Sequence, residues 1–488
     1  MSADTLTIFE KGAPGRRAFA CPELDVPQVD GLLPDRFRRA EGPRLPEVSE
    51  PEIVRHYVRL SKRNFDLDSG FYPLGSCTMK HNPRLHERVA ALPGHARLHP
   101  FQHPRRAQGA LELMWNLERA LGEISGLPHV SLQPSAGSHG ELAGVLLARA
   151  YHEDRGQTRT KVLTPDTAHG TNPATVTMAG LEVVKVATRG DGGVDLDDLR
   201  AKATDDVACL MLTNPNTLGV FDSEIAQIAE IVHDAGAILY YDGANLNAIM
   251  GITRPGDMGF DIVHFNLHKS FTQPHGGGGP GSGPIAVSDR MSPYLMNPRI
   301  VRRDDGTFDL DEHGYEKSIG RLRGFQGNYG CFVRAYAYIR SLGAAGLRDA
   351  SETAVLNANY LLARLGDVAE HLPLAFGRLC MHEFVLSGAP MKRELGIRTL
   401  DLAKRLLDHG YHPPTVYFPL LVDEALLIEP TETETRETLD AFADAVKAIL
   451  EEARADPEVA RTAPHTTPVR RLDEAGAAKH PVIRQALD

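Results

Sequence analysis

Helix-like and strand-like stretches alternate between about residues 105 and 290, and this alternation limits the possible fold more than any other feature. Residues 108–124 and 140–152 have the spacing of amphipathic helices. Short apolar stretches with the character of β-strands lie at residues 162–163, 183–186, 208–212, 238–241 and 261–265. Strands that are separated by helices pair in parallel through right-handed crossovers. We therefore predict an α/β fold whose main sheet is mostly parallel.

The length of 488 residues and a change of pattern near Tyr329 indicate more than one structural unit. We predict a large domain over residues 61–329 and a smaller C-terminal α+β domain over residues 330–455. The helical patterns of the smaller domain lie at residues 331–341, 354–365 and 435–452, and its strand-like stretches at 383–386 and 425–428. Residues 1–60 are rich in proline and charge, so we expect an arm that covers another surface. Residues 456–488 form a polar tail in this prediction.

The composition argues against several classes of function. The net charge of −11, from 53 basic and 64 acidic residues, does not favour nucleic acid as a partner. No apolar run reaches the roughly 18 residues that a membrane-spanning helix needs, so we expect no membrane partner. The five cysteines are odd in number and lack Cys-x-x-Cys spacing, which favours a reducing, cytoplasmic location and no metal site.

A lysine follows an acid by 27 residues, and each stands just after a predicted strand. Asp242 needs a cation or hydrogen-bond donors if it ends a buried strand, and a desolvated Lys269 would be a nucleophile. The glycine-rich residues 276–281 offer backbone that can pass close to a ligand. Together these features indicate pyridoxal phosphate (PLP). Lys269 would form the Schiff base, and Asp242 would pair with the pyridinium nitrogen.

Further segments fall beyond the predicted carboxyl ends of strands, where open α/β sheets bind ligands. The small residues 135–138 precede a helix, so they predict a phosphate cradle at its N-terminus. His169 would stack on the pyridine ring, and Asn216 would reach its phenolic oxygen. We predict Lys269, Asp242 and His169 as catalytic residues. The predicted cofactor-binding residues are Ser135, Ala136, Gly137, Ser138, His169, Asn216, Asp242, Ala244, Asn245, Asn266, His268 and Lys269.

Each of these features has an ordinary structural explanation when it is taken alone. A Ser-capped helix, a hydrogen-bonded histidine, an Asn-Pro turn, an Asp that caps a turn and a surface lysine would use the same residue types. All five segments nevertheless occur in the chain order that a PLP site requires. Their joint occurrence favours the PLP interpretation.

Several longer motifs resemble one enzyme family. They are residues 72–80 (YPLGSCTMK), 168–174 (AHGTNPA), 242–245 (DGAN), 266–271 (NLHKSF), 273–281 (QPHGGGGPG) and 428–432 (IEPTE). From about residue 60 to 440 the chain resembles glycine decarboxylase, the P-protein of the glycine cleavage system. The resemblance implies the type I fold of PLP-dependent transferases, with a large PLP domain and a small C-terminal domain.

The resemblance also implies an activity and partners. Many P-proteins have two homologous halves, of which only the C-terminal half keeps the PLP lysine, and this chain resembles that half encoded separately. The implied reaction is PLP-dependent decarboxylation of glycine, with release of CO₂ and transfer of the aminomethyl group to the lipoyl arm of the H-protein. The implied partner is a subunit 1 without the lysine, in an assembly with two copies of each subunit.

Other interpretations remain open from the sequence. Another type I PLP enzyme, such as a transaminase or a desulfurase, would use the same Lys269 and Asp242. A non-catalytic scaffold would not need Lys269, and a lysine Schiff-base enzyme without PLP would leave the phosphate cradle without a ligand. Cys77 either lines the glycine pocket or takes part in disulfide chemistry. Arg321 and Arg323 are candidates for the glycine carboxylate, because guanidinium binds carboxylate bidentately.

Overall fold

The computed structural model describes residues 6–29, 31–276, 281–377 and 379–484. Internal contacts divide the chain into two units. One unit holds the described residues up to Ser69 together with those from Thr466 onward, and the other runs from Gly70 to His465. Among the described helices, none combines the length and the apolar character that crossing a membrane requires.

The α-helices and β-strands of the described residues have the following bounds. The helices are α1 (Glu50–Ser61), α2 (Arg84–Ala90), α3 (Pro93–Ala96), α4 (Gln108–Ser125), α5 (Gly137–Glu153), α6 (Thr171–Met178), α7 (Leu196–Lys202), α8 (Ile225–Asp234), α9 (Leu267–Ser270), α10 (Tyr329–Arg364), α11 (Ala389–Leu395), α12 (Thr399–Asp408), α13 (Arg436–Ala455), α14 (Pro457–Arg461) and α15 (Glu474–Lys479). The strands are β1 (His129–Ser131), β2 (Lys161–Pro165), β3 (Glu182–Val186), β4 (Val207–Leu212), β5 (Ile238–Gly243), β6 (Ile262–Phe265), β7 (Ile285–Val287), β8 (Arg299–Arg302), β9 (Phe308–Asp311), β10 (Phe384–Ser387), β11 (Thr415–Val416) and β12 (Ala425–Ile428).

The main sheet has seven strands in the order β1-β7-β6-β5-β4-β2-β3. The strands from β3 to β6 pair in parallel, whereas β7 is antiparallel to both β6 and β1. Every residue of β4, β5 and β6 is buried, as expected of parallel strands that are covered on both faces. The prediction of an α/β fold with a mostly parallel sheet is therefore confirmed.

The two faces of this sheet pack into separate apolar clusters, and this separation decides where the polar side chains of β5 point. Tyr241 belongs to the cluster that includes Leu121 and Phe332, and Tyr240 belongs to the cluster that includes Leu147 of α5. Successive side chains of a strand point to opposite faces. Asp242 therefore lies on the same face as Tyr240, the face that α5 covers.

The C-terminal part of the larger unit contains a second sheet with its own core. Its three strands pair antiparallel in the order β10-β12-β11. Its apolar cluster includes Phe384, Ile428 and Phe442. The two helices predicted at 331–341 and 354–365 lie within α10, on either side of a kink at Gly343, whose backbone is not helical (φ 64°). The proposed domain boundaries themselves stay a prediction.

The smaller unit contains α1 and α15. Ser49 and Glu52 form a reciprocal capping box at the start of α1, which satisfies free N–H groups of its first turn. Between Ala13 and Pro46 this unit has little regular structure, and several large apolar side chains there are exposed, including Phe19, Leu24 and Leu32. That these residues cover another surface stays a prediction.

Candidate active site

The segments that follow the parallel strands carry the predicted catalytic side chains. Asp242 is the last residue but one of β5, and Lys269 lies in α9, directly after β6. His169 follows β2. Its ring is close enough to Lys269 and Asp242 for both charges to affect its pKa. The structure therefore brings these three residues together at one edge of the sheet, as open α/β sheets do for ligand-binding groups.

Asp242 is buried and held by several donors. The Asn172 amide donates to its Oδ2 at 3.0 Å, and the backbone N–H of Ala244 donates to its Oδ1 at 3.0 Å. The ring Nε2 of His264 lies 3.5 Å from Oδ1. Burial by itself raises the pKa of Asp242, but His264, the two donors and Lys269 outweigh burial and lower the net pKa. Asp242 is thus an anion that is ready to hold a cationic group.

Lys269 points its amine at a carbonyl instead of a carboxylate. Its Nζ donates to the backbone oxygen of Ser76 at 2.8 Å. Two other lysines, Lys80 and Lys161, are both ion-paired. Lys80 lies 2.7 Å from Glu432, and its pKa is raised to about 12 although burial opposes the rise. Lys161 lies 2.7 Å from Asp206 at the opposite, amino end of β2. Among these lysines the geometry favours Lys269 as the nucleophile.

His169 offers a neutral ring at the site. Burial and then the Lys269 charge lower its pKa, against the smaller opposing influence of Asp242. Its Nδ1 lies 2.9 Å from the Thr171 hydroxyl, and its ring meets Phe418 edge to face at 5.5 Å between centroids. A neutral and anchored imidazole suits the predicted stacking role.

The predicted phosphate cradle lies at the start of α5, where backbone N–H groups lack intrahelical acceptors. Its backbone is tightly packed, because a Cβ on Gly137 would lie 2.1 Å from Oδ1 of Asn266. That Oδ1 is buried and has no hydrogen-bond partner among the described residues. Burial, with His275 and Lys269, lowers the pKa of His268 to about 3, so its ring is neutral.

This cradle suits a phosphate ester. Ser135 and Ser138 supply hydroxyl groups, and α5 contributes the positive end of its dipole. The unused polar atom of Asn266 is Oδ1, an acceptor that cannot donate to a phosphate, so the role of Asn266 as a phosphate ligand stays a prediction. The glycine-rich stretch predicted to cover the ligand falls largely on residues 277–280, which lie outside the described residues.

The side chains of Asn216 and Asn245, two further predicted cofactor-binding residues, form hydrogen bonds with the protein backbone. The Asn216 amide accepts from the N–H groups of Leu218 and Val220 and donates to the Gly192 carbonyl at 2.8 Å. The Asn245 amide donates to the Pro215 carbonyl at 2.9 Å. Neither side chain is hydrogen-bonded to Asp242 or Lys269 in the described part of the chain. Their roles as cofactor ligands stay predictions, as does that of Ala244.

The structure also bears on the side chains whose roles the sequence left open. Burial raises the pKa of the Cys77 thiol, against the influence of Lys269, which favours the pocket-lining interpretation over a thiolate role. Arg321 is ion-paired with Glu312. Arg323 donates to the Asn328 side chain at 3.0 Å, and Asn328 in turn donates to the Ser135 carbonyl. Arg323 is therefore connected to the cradle through the side chain of Asn328.

Several residues behind Asp242 and beside Lys269 were not predicted from the sequence. His264 stands opposite Asp242 in the β5–β6 register, and Asn172 reaches Asp242 from α6. Glu383 and Glu429 lie under the Ser76–Thr78 loop that holds Lys269. Glu429 had one usable signal, because it is an acid that directly follows a strand-like stretch.

Comparisons with known proteins agree with this arrangement. A family model described as glycine dehydrogenase, C-terminal domain, matches residues 350–469, and one described as aminotransferase class-V matches residues 138–279. The crystal structure of glycine decarboxylase (P-protein) in inhibitor-bound form has a TM-score of 0.72 at 21% identity, covering 86% of this chain and 93% of that chain. A cysteine desulfurase from Thermococcus onnurineus has a TM-score of 0.61 at 16% identity, covering 79% and 96%. These two structures establish the fold alone, and with the class-V match they confirm the predicted type I fold. The predicted PLP cofactor is confirmed by the class-V match together with the relatives described next.

Relatives of higher similarity cover both chains almost completely. The chain is 57% identical over 487 residues to a probable glycine dehydrogenase (decarboxylating) subunit 2 of Halalkalibacterium halodurans, with 99% of each chain covered. It is 55% identical over 478 residues to the protein of the same name from Chlorobium chlorochromatii, with 98% of each chain covered. With more than half of its residues identical to such relatives along nearly its whole length, the chain belongs to the family of glycine dehydrogenase (decarboxylating) subunit 2.

Proposed function

We propose that this chain catalyses the PLP-dependent decarboxylation of glycine. One observation carries the proposal: Lys269 and the buried anion Asp242 lie at the same edge of the sheet. The amine of Lys269 has no carboxylate partner among the described residues. The names of the relatives supply the substrate and the reaction.

The residues of the site fit PLP, and each would bind a different part of the cofactor. Lys269 would hold the cofactor covalently, Asp242 would hold its ring nitrogen, and residues 135–138 with Asn266 would hold its phosphate. When bound, PLP supplies a sink for the electron pair that remains on the α-carbon of an amino acid. The lowered pKa of Asp242 keeps this residue anionic, so it would favour a proton on the ring nitrogen of the bound cofactor.

The chain's other side chains would position the substrate and exclude water. The neutral ring of His169 presents a flat face beside Lys269, and its contacts with Thr171 and Phe418 fix its orientation. Asp242 and Asn266 are almost wholly buried, so bulk water does not compete for them. A carboxylate that enters such a surrounding loses hydration, which favours loss of CO₂.

We further propose that the acceptor of the aminomethyl group is the lipoyl disulfide of an H-protein. The bond between the α-carbon and the carboxylate breaks, and its electron pair forms a carbon–sulfur bond. The sulfur–sulfur bond breaks, and the second sulfur leaves as a thiolate that takes up a proton. Glycine is oxidised and the disulfide is reduced, so no other oxidant is needed.

We propose a subunit 1 as the obligatory partner, in an assembly with two copies of each subunit. The relatives' name, subunit 2, supports the existence of a subunit 1. The exposed apolar side chains between Ala13 and Pro46 support a surface that a partner covers. None of the five cysteines, all of which are among the described residues, forms a disulfide, which supports a reducing location such as the cytoplasm.

The test is exchange of labelled CO₂ with the carboxyl group of glycine, measured for the chain with PLP, subunit 1 and lipoylated H-protein. We expect exchange that is lost in Lys269→Ala. Lys161→Ala is the matched control, because that lysine lies at the other end of the sheet, and we expect it to keep the exchange. Amino-group transfer to a keto acid without CO₂ exchange would instead identify a transaminase and refute the proposal.

A further inference from the structure

Two buried glutamates lie next to each other at the end of the smaller sheet. Glu383 directly precedes β10 and Glu429 directly follows β12, so they continue the antiparallel register in which Phe384 faces Ile428. Both side chains are fully buried. A carboxylate oxygen of each and a ring nitrogen of His382 all lie within 4.8 Å of one another.

The two carboxyl groups hold one loop of the active site. The backbone N–H of Ser76 donates to Glu383 at 2.7 Å. The backbone N–H and the hydroxyl of Thr78 donate to Glu429 at 2.8 Å and 2.6 Å. Ser76 and Thr78 have positive φ values of 63° and 51°, which residues other than glycine rarely adopt. The contacts with the two glutamates therefore stabilise a loop conformation that is costly by itself.

The same loop binds Lys269. The carbonyl of Ser76 accepts the hydrogen bond from Lys269 Nζ at 2.8 Å, while the N–H of the same residue donates to Glu383. One residue thus connects the carboxyl pair to the amine. Lys80, the other lysine near the pair, is already matched by its own partner, Glu432.

Two full negative charges on this buried pair would be costly. Like charges at this separation in a buried site favour the uptake of one proton. No Lys or Arg nitrogen of the described residues lies within the 4.0 Å of an ion pair to either carboxylate. Burial raises the pKa of Glu383 well above its usual value, and burial also raises the pKa of Glu429, while Lys269 opposes both shifts.

The other titratable groups at the pair do not change this charge. Burial, with Lys269 and Lys80, lowers the pKa of His382 to about 3, so the imidazole is neutral. Neither ring nitrogen of His382 has a hydrogen-bond partner among the described residues. Cys77, on the loop, has a pKa raised by burial and stays a thiol. Asn245 and Asn247 donate to the carboxylates at 3.4 Å and carry no charge.

We propose that Glu383 and Glu429 share one proton and carry a single negative charge that stabilises the cationic amine of Lys269. Both are positioning residues, because they act on Lys269 through the loop from Ser76 to Thr78. This inference deepens the proposed function and rests on it for the role of Lys269. Its test uses the full chain without PLP or glycine, so the two proposals can fail separately.

The charge is tested with Glu383→Gln, Glu429→Gln and the double variant, because an amide resembles a protonated carboxyl group. The readout is the pH midpoint at which acetic anhydride labels Lys269, measured by peptide mass spectrometry, with Lys161 as the internal control. We expect each single variant to stay within about 0.5 pH unit of the parent chain, and the double variant to fall by one unit or more. Single variants that each fall about half as far as the double one would show two full charges, and an unchanged double variant would show none. Either result overturns the proposal.

The loop is tested with Glu383→Ala, which removes the acceptor, compared with Glu383→Gln, which keeps one. The readout is the rate at which a thiol reagent modifies Cys77, mapped by mass spectrometry. We expect a rise of at least tenfold in the alanine variant and less than twofold in the glutamine variant. Equal rates in the two variants would refute the positioning role. If the alanine variant does not fold, a rise of tenfold in Glu383→Gln still refutes it.

Discussion

Removal of the Lys80 ammonium should destabilise the larger unit by an amount that the structure predicts. Lys80 Nζ lies 2.7 Å from Glu432 and 3.1 Å from the Ser270 carbonyl, and its side chain is 1% exposed. Its pKa is raised from 10.5 to about 12. A rise of about 1.5 units corresponds to about 2 kcal/mol in favour of the charged, folded form. Lys80→Met keeps the apolar stem, so the loss should be close to this value.

The pH dependence of this loss follows from the direction of the shift. A lysine whose pKa is higher in the folded state contributes its full stability below the unfolded value of 10.5 and loses it as the pH rises through about 12. The deficit of Lys80→Met relative to the parent chain should therefore be constant from about pH 6 to pH 9. It should shrink above about pH 10.5.

Thermal unfolding of the full chain measures the deficit. For a cooperative unit of roughly 400 residues, 1 kcal/mol corresponds to about 1 °C in Tm, so we expect a fall of about 2 °C at pH 7. Glu432→Gln and the double variant complete a double-mutant cycle, in which the two losses should not add. Lys161→Met, which removes an exposed ion pair, is the matched control and should change little. A fall no larger than the control, or additive losses in the cycle, would refute the reasoning.

Four further outcomes test the site and the assembly. Borohydride reduction with PLP, followed by peptide mapping, should label Lys269, and a label on any other lysine would overturn that assignment. Asp242→Asn should keep PLP bound but lose most glycine decarboxylation, and near-normal turnover would mean that another acid holds the ring nitrogen. Gly137→Ala should weaken PLP binding, because its Cβ would lie 2.1 Å from Asn266 Oδ1, whereas Gly109→Ala, whose Cβ meets nothing within 4 Å, should not. The chain alone should decarboxylate glycine poorly and gain activity when subunit 1 is added, and full activity without it would refute the heteromer.

Local patterns in the sequence were enough to predict the sheet and its key side chains. Strand β5 was recognisable from five apolar residues that end in an acid, and β6 from a similar run that leads to Lys269. These strands are recognisable in the sequence because burial on both faces of a parallel strand requires a continuous apolar run. Ligand-binding groups then follow the carboxyl end of that run. The two helices predicted at 331–341 and 354–365 both lie in α10, on either side of the kink at Gly343, and the second begins earlier than predicted.

Charge states and partners depended on distances that only the folded chain defines. Glu383 accepts a hydrogen bond from Ser76, which is 307 positions away in the sequence, and Glu429 accepts one from Thr78, which is 351 positions away. Whether a carboxyl group keeps its proton depends on its burial and on the nearest charges in space, and the sequence states neither. The same holds for the lysines. Lys80 and Lys269 look alike as residues near the site, but a carboxylate 2.7 Å away holds Lys80 as a cation, whereas Lys269 faces a carbonyl, because the loop, α9 and the smaller sheet converge there.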